Sequence, residues 1–239
     1  MKTILHKANS RGHANLGWLN SYHSFSFGNY YNPERMHFGA LRVLNDDTVK
    51  QGMGFSKHPH DNMEIVSIPL SGDLHHQDST GRDEIIRQDD VQIMSAGTGI
   101  AHSETNANTD KEVKFLQLWI MPKEKNIEPR YQQKTFKPAD RINQVLTVVA
   151  PDDEQAVWIN QDAWLSLANL SKNKSATYLI RKEGNGVYAF ILNGNVTISG
   201  QDLEPRDGLG IWETDSLTIQ AGTDAEILLI DIPMKIQGV

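Results

Sequence analysis

The sequence predicts an all-β protein in which one chain folds into two similar β barrels or sandwiches, with few short helices. Three observations lead there. Short alternating or apolar runs, bounded by Gly, Asn and Asp, recur along the 239 residues and read as strands. Capped helical patterns are scarce, the one candidate being a short turn within "KPADRINQV", Lys137 to Val145. Two segments also read alike, "IVSIPLSGDL" (Ile65 to Leu74) and "YAFILNGNVTI" (Tyr188 to Ile198), each an apolar strand, a Gly turn and a second strand.

Along the chain, "SYHSFSF" (Ser21 to Phe27) alternates polar and aromatic residues, the pattern of a half-buried strand. His23 within it reads as a packed or capping histidine. "HFGALRVLNDD", "EIVSIPLSGDLHHQDSTG", "VKFLQLWIMP" and "AEILLIDIP" supply further strands. The "LSGD" and "LNGN" turns, Leu70 to Asp73 and Leu192 to Asn195, sit in hairpin-like settings. "RQDDVQIMSAGTGI" follows the first and "LEPRDGLGI" the second, which sustains the repeat. The two units join between Pro122 and Pro151, so residues 1–135 are expected to form an N-terminal domain and 136–239 a C-terminal one. Two barrels in one chain can cover each other's apolar faces, so a monomer suffices.

Composition narrows the function classes. Hydrophobic content of 38% and charged content of 22% describe a soluble globular protein. The apolar run in "MKTILHKANS" is too short for a signal peptide or a membrane span. There is no cysteine, which excludes disulfides, thiolate ligands and cysteine nucleophiles and makes the cytoplasm the expected location. The net charge of −7 and the absence of a basic stripe argue against direct nucleic-acid binding, since Lys and Arg must displace counterions from phosphates.

"FSKHPHDNMEI" (Phe55 to Ile65) holds the sharpest signal. His58 and His60 are two apart, so on a strand they point to one face. Pro59 between them cannot donate a ladder hydrogen bond, which suits a strand start or edge. Further on, "SAGTGIAHSE" places Gly97 and Gly99 at a tight turn and then His102 and Glu104, again two apart. If the two strands face each other inside a barrel, three imidazoles and a carboxylate converge. That set suits a divalent first-row metal. Glu64, four residues after His60, is a second candidate for the carboxylate; Glu104 is preferred and Glu64 assigned a supporting place beside the site. All nine histidines lie between His6 and His102, so the second unit has neither His nor Cys for such a metal. His75 and His76 are adjacent and face opposite ways, so only one can approach the site, His76 being the candidate for a supporting role.

These motifs resemble a known family. Gly52, His58, His60 and Glu64 are similar to the first cupin motif, and Gly99, His102 and Asn106 to the second. "HPHDNMEIV", "GDLHHQDSTG" and "QIMSAGTGIAHSE" look like pirin, a two-domain cupin, and "SYHSFSFGNYY", "LQLWIMP" and "PRYQQKTF" extend the likeness. The bacterial pirin-like proteins described as quercetin 2,3-dioxygenases are the best match. The resemblance is close over the first 140 residues and looser around "VWINQDAWL". It implies two cupin (double-stranded β-helix, jelly-roll) barrels, the first holding one metal through His58, His60, His102 and Glu104 and the second holding none. Iron is the implied metal, with zinc, nickel, copper, manganese and cobalt as alternatives. Asp61, Asn62 and Met63 depart from the Arg-Gly-Phe of many pirins, and Asp89 from a usual Gly. The first change lies beside the metal motif and bears on substrate choice.

The implied activity is a metal-dependent cleavage of a flavonol such as quercetin by dioxygen, releasing carbon monoxide and a depside. Glu104 would be the catalytic base for the substrate 3-hydroxyl. Phe55, Met63 and Ile100 are candidates for the mouth of the site, or for ordinary core. The resemblance carries two alternatives: a redox-sensing regulator of the pirin type that acts through protein partners, or a cupin isomerase or decarboxylase.

Overall fold

A computed structural model describes residues 1–236. The first half contains β1 (Lys2–His6), β2 (Gly12–Asn15), β3 (Leu19–His23), β4 (Leu41–Val49), β5 (Gly54–His60), β6 (Glu64–Ser71), β7 (Leu74–Asp78), β8 (Asp83–Ile86), β9 (Asp90–Ser95), β10 (Ile100–Asn106), β11 (Val113–Ile120) and β12 (Arg130–Thr135). The second contains β13 (Val145–Ala150), β14 (Val157–Trp158), β15 (Trp164–Leu170), β16 (Ser175–Leu179), β17 (Asn185–Asn193), β18 (Val196–Ile198), β19 (Gln201–Leu203), β20 (Gly208–Trp212), β21 (Ser216–Ala221) and β22 (Ala225–Pro233). The helical elements among the described residues are two 3-10 turns, Ala8–Ser10 and Pro138–Arg141. The second lies where the sequence placed a short turn. Among the described residues no helix is long and apolar enough to cross a membrane.

A seven-stranded sheet, β12-β9-β6-β11-β4-β3-β2, and a four-stranded sheet, β5-β10-β7-β8, build the first barrel. The second repeats the plan with β1-β20-β17-β22-β15-β13-β14 and β16-β21-β18-β19. Adding eleven to the labels β9-β6-β11-β4 and β5-β10-β7-β8 reproduces the matching strands of the second barrel, so the repeat in the sequence is a structural duplication. One strand breaks the division into halves. β12 lines the edge of β9, but the equivalent place beside β20 is taken by β1, with Lys2 opposite Trp212 and His6 opposite Gly208. The expected boundary at 135 is therefore crossed by the start of the chain.

The two Gly turns differ from their sequence reading. β6 and β7 lie in different sheets, as do β17 and β18, so each turn carries the chain across a barrel edge instead of closing a hairpin. Gly72 (φ 73°) and Gly194 (φ 75°) take the left-handed conformation that this corner demands. A Cβ at Gly194 would collide with the Asp224 carbonyl oxygen.

Strand alternation divides each large sheet into two faces. Val66, Ile68 and Leu118 of the first sheet meet Leu167, Phe190 and Leu228 of the second in one core, which covers both outer faces within a single chain. The interior of the second barrel is filled by aliphatic side chains such as Val187, Ile191, Ile219 and Leu229. The first barrel is filled only at its ends, by a cluster around Leu74, Val113 and Phe115 and another around Ile65, Met94 and Ile100. Between those ends its inward positions are polar.

Candidate metal centre

β5 and β10 are antiparallel neighbours at the edge of the small sheet, with His58 opposite His102 and His60 opposite Ile100. They do not face each other across the barrel, as the spacing alone suggested; they share one inward face side by side. Pro59 occupies the outward, exposed position of an edge strand, where a missing N–H is harmless. Between His102 and Glu104 the register slips: β10 advances from His102 to Glu104 while β5 runs from His58 back to Phe55. This bulge sets Phe55 opposite Glu104, beside the site.

The three imidazoles converge. Ring centroids are 4.5 Å apart for His58 and His102, 4.8 Å for His58 and His60, and 5.0 Å for His60 and His102. His58 Nδ1 lies 2.8 Å from the Ser56 carbonyl oxygen and donates to it. That places the proton on Nδ1 and leaves the Nε2 lone pair free, 3.1 Å from His102 Nε2. Two nitrogens bound at right angles to one metal about 2.1 Å away would stand roughly 3.0 Å apart, so the pair fits a shared cation. Burial, and then the neighbouring imidazoles, push His60 down to about 4. Burial, then His58 and His76, push His102 down to about 3. Both rings therefore stay neutral, the form that ligates metal.

Glu104 is buried, and its carboxylate is enclosed by protein groups. Ser67 Oγ lies 2.8 Å from Oε1, and Gln117 Nε2 donates to Oε2 at 2.5 Å. Ser67 Oγ is also 2.7 Å from Gln117 Oε1. Two overlapping groups could hold a metal: His58, His60 and His102, and separately His76, His102 and Glu104. His102 belongs to both. The four predicted ligands thus share one interior but not one tight cluster, and His76 stands beside Glu104 in the β7–β10 ladder. His76 is fully buried and its Nε2 is 3.0 Å from Asp78 Oδ2, whereas His75 turns outward to Asp83 at 2.6 Å. Adjacent positions do face opposite ways.

Glu64 is not beside the site. The chain turns between β5 and β6 at Asn62, whose φ of 45° is left-handed, so His60 and Glu64 belong to different strands. On β6, Ile65 and Ser67 face the barrel, and Glu64 faces the other barrel. There its Oε2 accepts from Ser95 Oγ at 2.7 Å and from the Asn160 backbone N–H at 3.1 Å. Burial raises it to about 7, against the pull of those hydrogen bonds.

A cavity of about 750 Å³ opens on His58, His60 and Glu104. Its remaining walls include Phe27, Tyr30, Phe55 and Trp119. The Trp119 ring meets His60 edge-on, with centroids 4.9 Å apart. Of the three mouth candidates Phe55 lines this cavity, while Met63 and Ile100 pack with Ile65 and Met94 and border a separate shallow depression beside His60. Asn62, in the "DNM" segment, clamps a neighbouring turn: its Oδ1 accepts from the Asn126 N–H at 2.7 Å. His23 is buried against Ser21 and also lines the cavity. Sequence reasoning passed over Ser67, Asn45, Asp47 and Gln117, although each interrupts an otherwise apolar strand face, as in "LNDDT" and "LQLW". In the second barrel the strands equivalent to β5 and β10 turn Tyr178, Leu217 and Ile219 inward, where the first barrel has His58, His102 and Glu104.

Comparisons with known proteins agree with this architecture. A family model described as pirin matches residues 5–120, and one described as quercetinase C-terminal cupin domain matches residues 147–232. The chain is 45% identical over 230 residues to a quercetin 2,3-dioxygenase of Escherichia coli (strain K12), spanning 96% of this chain and 98% of that protein. It is 39% identical to a pirin-like protein of Caulobacter vibrioides, over 92% and 95% of the two chains. Its backbone matches a bacterial pirin from Escherichia coli solved in complex with nickel(II), with a TM-score of 0.92, 43% identity, and 97% and 99% of the two chains covered.

Proposed function

The chain belongs to the pirin family, with two cupin barrels, and on that premise we propose that it is a metal-dependent dioxygenase of flavonols such as quercetin. The proposed metal half is residues 1–135, with His58, His60, His102 and Glu104 as ligands, and the proposed metal-free half is residues 136–239. One observation carries the reading: the imidazole cluster opens into a cavity of about 750 Å³ walled by aromatic rings, the size and lining a flat polycyclic substrate needs. The names of the relatives support it. Iron is the ion we propose; the nickel(II) held by the Escherichia coli pirin is compatible with the same set of imidazoles and one carboxylate.

A divalent metal bound at this cluster would supply Lewis acidity and a template for the substrate 3-hydroxyl. The protein supplies the place for the proton. Glu104, Ser67 and Gln117 make three close contacts in a ring, for which Ser67 and Gln117 bring two hydrogens. Gln117 donates to Glu104 Oε2 and Ser67 has a hydrogen to give to Oε1, so both groups stabilise the carboxylate and fix its orientation. Glu104 thus serves as an anionic ligand or, when released from that duty, as general base for the hydroxyl proton. Phe55 and Trp119 flank the substrate and exclude water. In the overall reaction dioxygen adds two oxygen atoms to the flavonol, which loses its C3 as carbon monoxide and remains as a depside. The cytoplasm is the proposed setting.

The test is to load the purified protein with Fe(II) or Ni(II) under anaerobic conditions, add quercetin and admit oxygen. Flavonol absorbance should fall with equimolar oxygen uptake and carbon monoxide release. Unchanged absorbance with metal bound and oxygen present would sink the reading.

A further inference from the structure

A belt of buried polar side chains crosses the large sheet of the first barrel at a single level. His23 on β3 stands opposite Asn45 on β4, Asn45 opposite Gln117 on β11, Gln117 opposite Ser67 on β6, and Ser67 opposite Gln92 on β9. Directly opposed residues project from the same face, here into the barrel. The fold does not need this belt. At the equivalent level the duplicated sheet turns Ser166, Leu229 and Ala189 inward, on the strands equivalent to β4, β11 and β6, so a single small hydroxyl stands among aliphatic side chains. Burial of an unpaired polar group is costly, so a polar row where mostly aliphatic residues fit needs a reason.

Gln117 and Ser67 have one, since they hold Glu104. The β3–β4 end does not. There Ser21, opposite Asp47, donates its hydroxyl hydrogen to Asp47 Oδ1, and His23 Nε2 lies 2.8 Å from the same hydroxyl. With Asp47 ionised that hydrogen is committed, so His23 donates from Nε2 and its Nδ1 is a bare acceptor. Among the described residues no partner reaches His23 Nδ1 or Asn45 Oδ1. Both residues are 3% exposed, and both line the cavity that His58 and Glu104 line. Burial lowers His23, keeping it neutral. Burial also raises Asp47, to about 7, so mildly alkaline solution ionises it. Two buried acceptors on an aromatic-walled cavity fit an occupant that brings hydroxyl hydrogens.

We propose that His23, Asn45, Ser21 and Asp47 form a second recognition site on the large-sheet wall of the cavity, which binds phenolic hydroxyls of the substrate other than the reacting one. The inference rests on the reading that a flavonol-like molecule occupies this cavity. It makes the site selective for polyhydroxylated flavonols over the bare ring system.

The experiment measures equilibrium binding, without oxygen and at mildly alkaline pH, of quercetin and of 3-hydroxyflavone to the Ni(II)-loaded protein. Wild type should bind quercetin at least about tenfold tighter, the worth of one buried hydrogen bond. Asn45→Leu and, independently, Ser21→Ala should bring that ratio toward one. Leucine suits the first position because it has nearly the shape of asparagine and can accept no hydrogen bond, and metal content with thermal melting checks that each variant is folded. Equal affinities in wild type, no binding of either compound, or a ratio unchanged in folded variants would overturn the inference. A wild type that prefers quercetin but never consumes it in air upholds the recognition site and removes the dioxygenase reading. Turnover of both flavonols without any preference does the reverse.

Discussion

Substitution of Glu64 by glutamine separates the two carboxylates that the sequence offered as ligands. Glu64 is 1% exposed, and burial raises it from 4.5 to about 7. In the unfolded chain it ionises near 4.5, so between those values the folded protein holds a proton that the unfolded chain has released. The fold's preference for the protonated acid is fully present below 4.5 and is lost as pH rises through 7. At 1.36 kcal/mol per pH unit, the interval amounts to about 3 kcal/mol, with little screening because the group is buried. Glutamine imitates the neutral acid, and its carbonyl oxygen can still accept from Ser95 and from the Asn160 N–H. Glu64→Gln should therefore gain on wild type by about 3 kcal/mol between acidic and mildly alkaline conditions. The assay is urea unfolding of both proteins across that range, with metal content measured on each. Parallel pH profiles would refute the burial argument. Loss of metal from the variant would return Glu64 to the ligand set and refute the face assignment.

His58→Ala should remove most of the bound metal, because β5 offers no substitute imidazole in that position; full occupancy by elemental analysis would contradict the assignment. Ser67→Ala should lower kcat with quercetin by about tenfold while KM moves little, since the hydroxyl contacts Glu104 Oε1 and does not line the cavity; a change confined to KM would argue for a binding role. Gly194→Ala should cost at least about 2 kcal/mol, from a left-handed φ of 75° and a collision with the Asp224 carbonyl oxygen. In a chain of this size that is a fall in Tm of roughly 4–8 °C, and an unchanged Tm would contradict the corner geometry.

What the chain states locally was readable from the residues alone. Period-two alternation marks strands wherever they go, and the spacing of His58 with His60 and of His102 with Glu104 fixes shared faces without knowledge of the neighbours. The likeness of "PLSGDL" to "ILNGNV" announced the duplication, because both corners need the same left-handed glycine. Histidine counts separated a half that holds every imidazole from one that holds none. The rest depended on which strands lie side by side. Nothing local tells whether "LSGD" closes a hairpin or passes between sheets, that β1 pairs with β20, or that a turn at Asn62 reverses the face on which Glu64 would otherwise lie. Only the tertiary pairing aligns His23, Asn45, Gln117, Ser67 and Gln92, residues scattered from position 23 to 117, into one row. Alternation is a property of a strand's own backbone. Register, bulges and the emptiness of a barrel arise from contacts between segments distant in sequence, and these are decided when the sheets close.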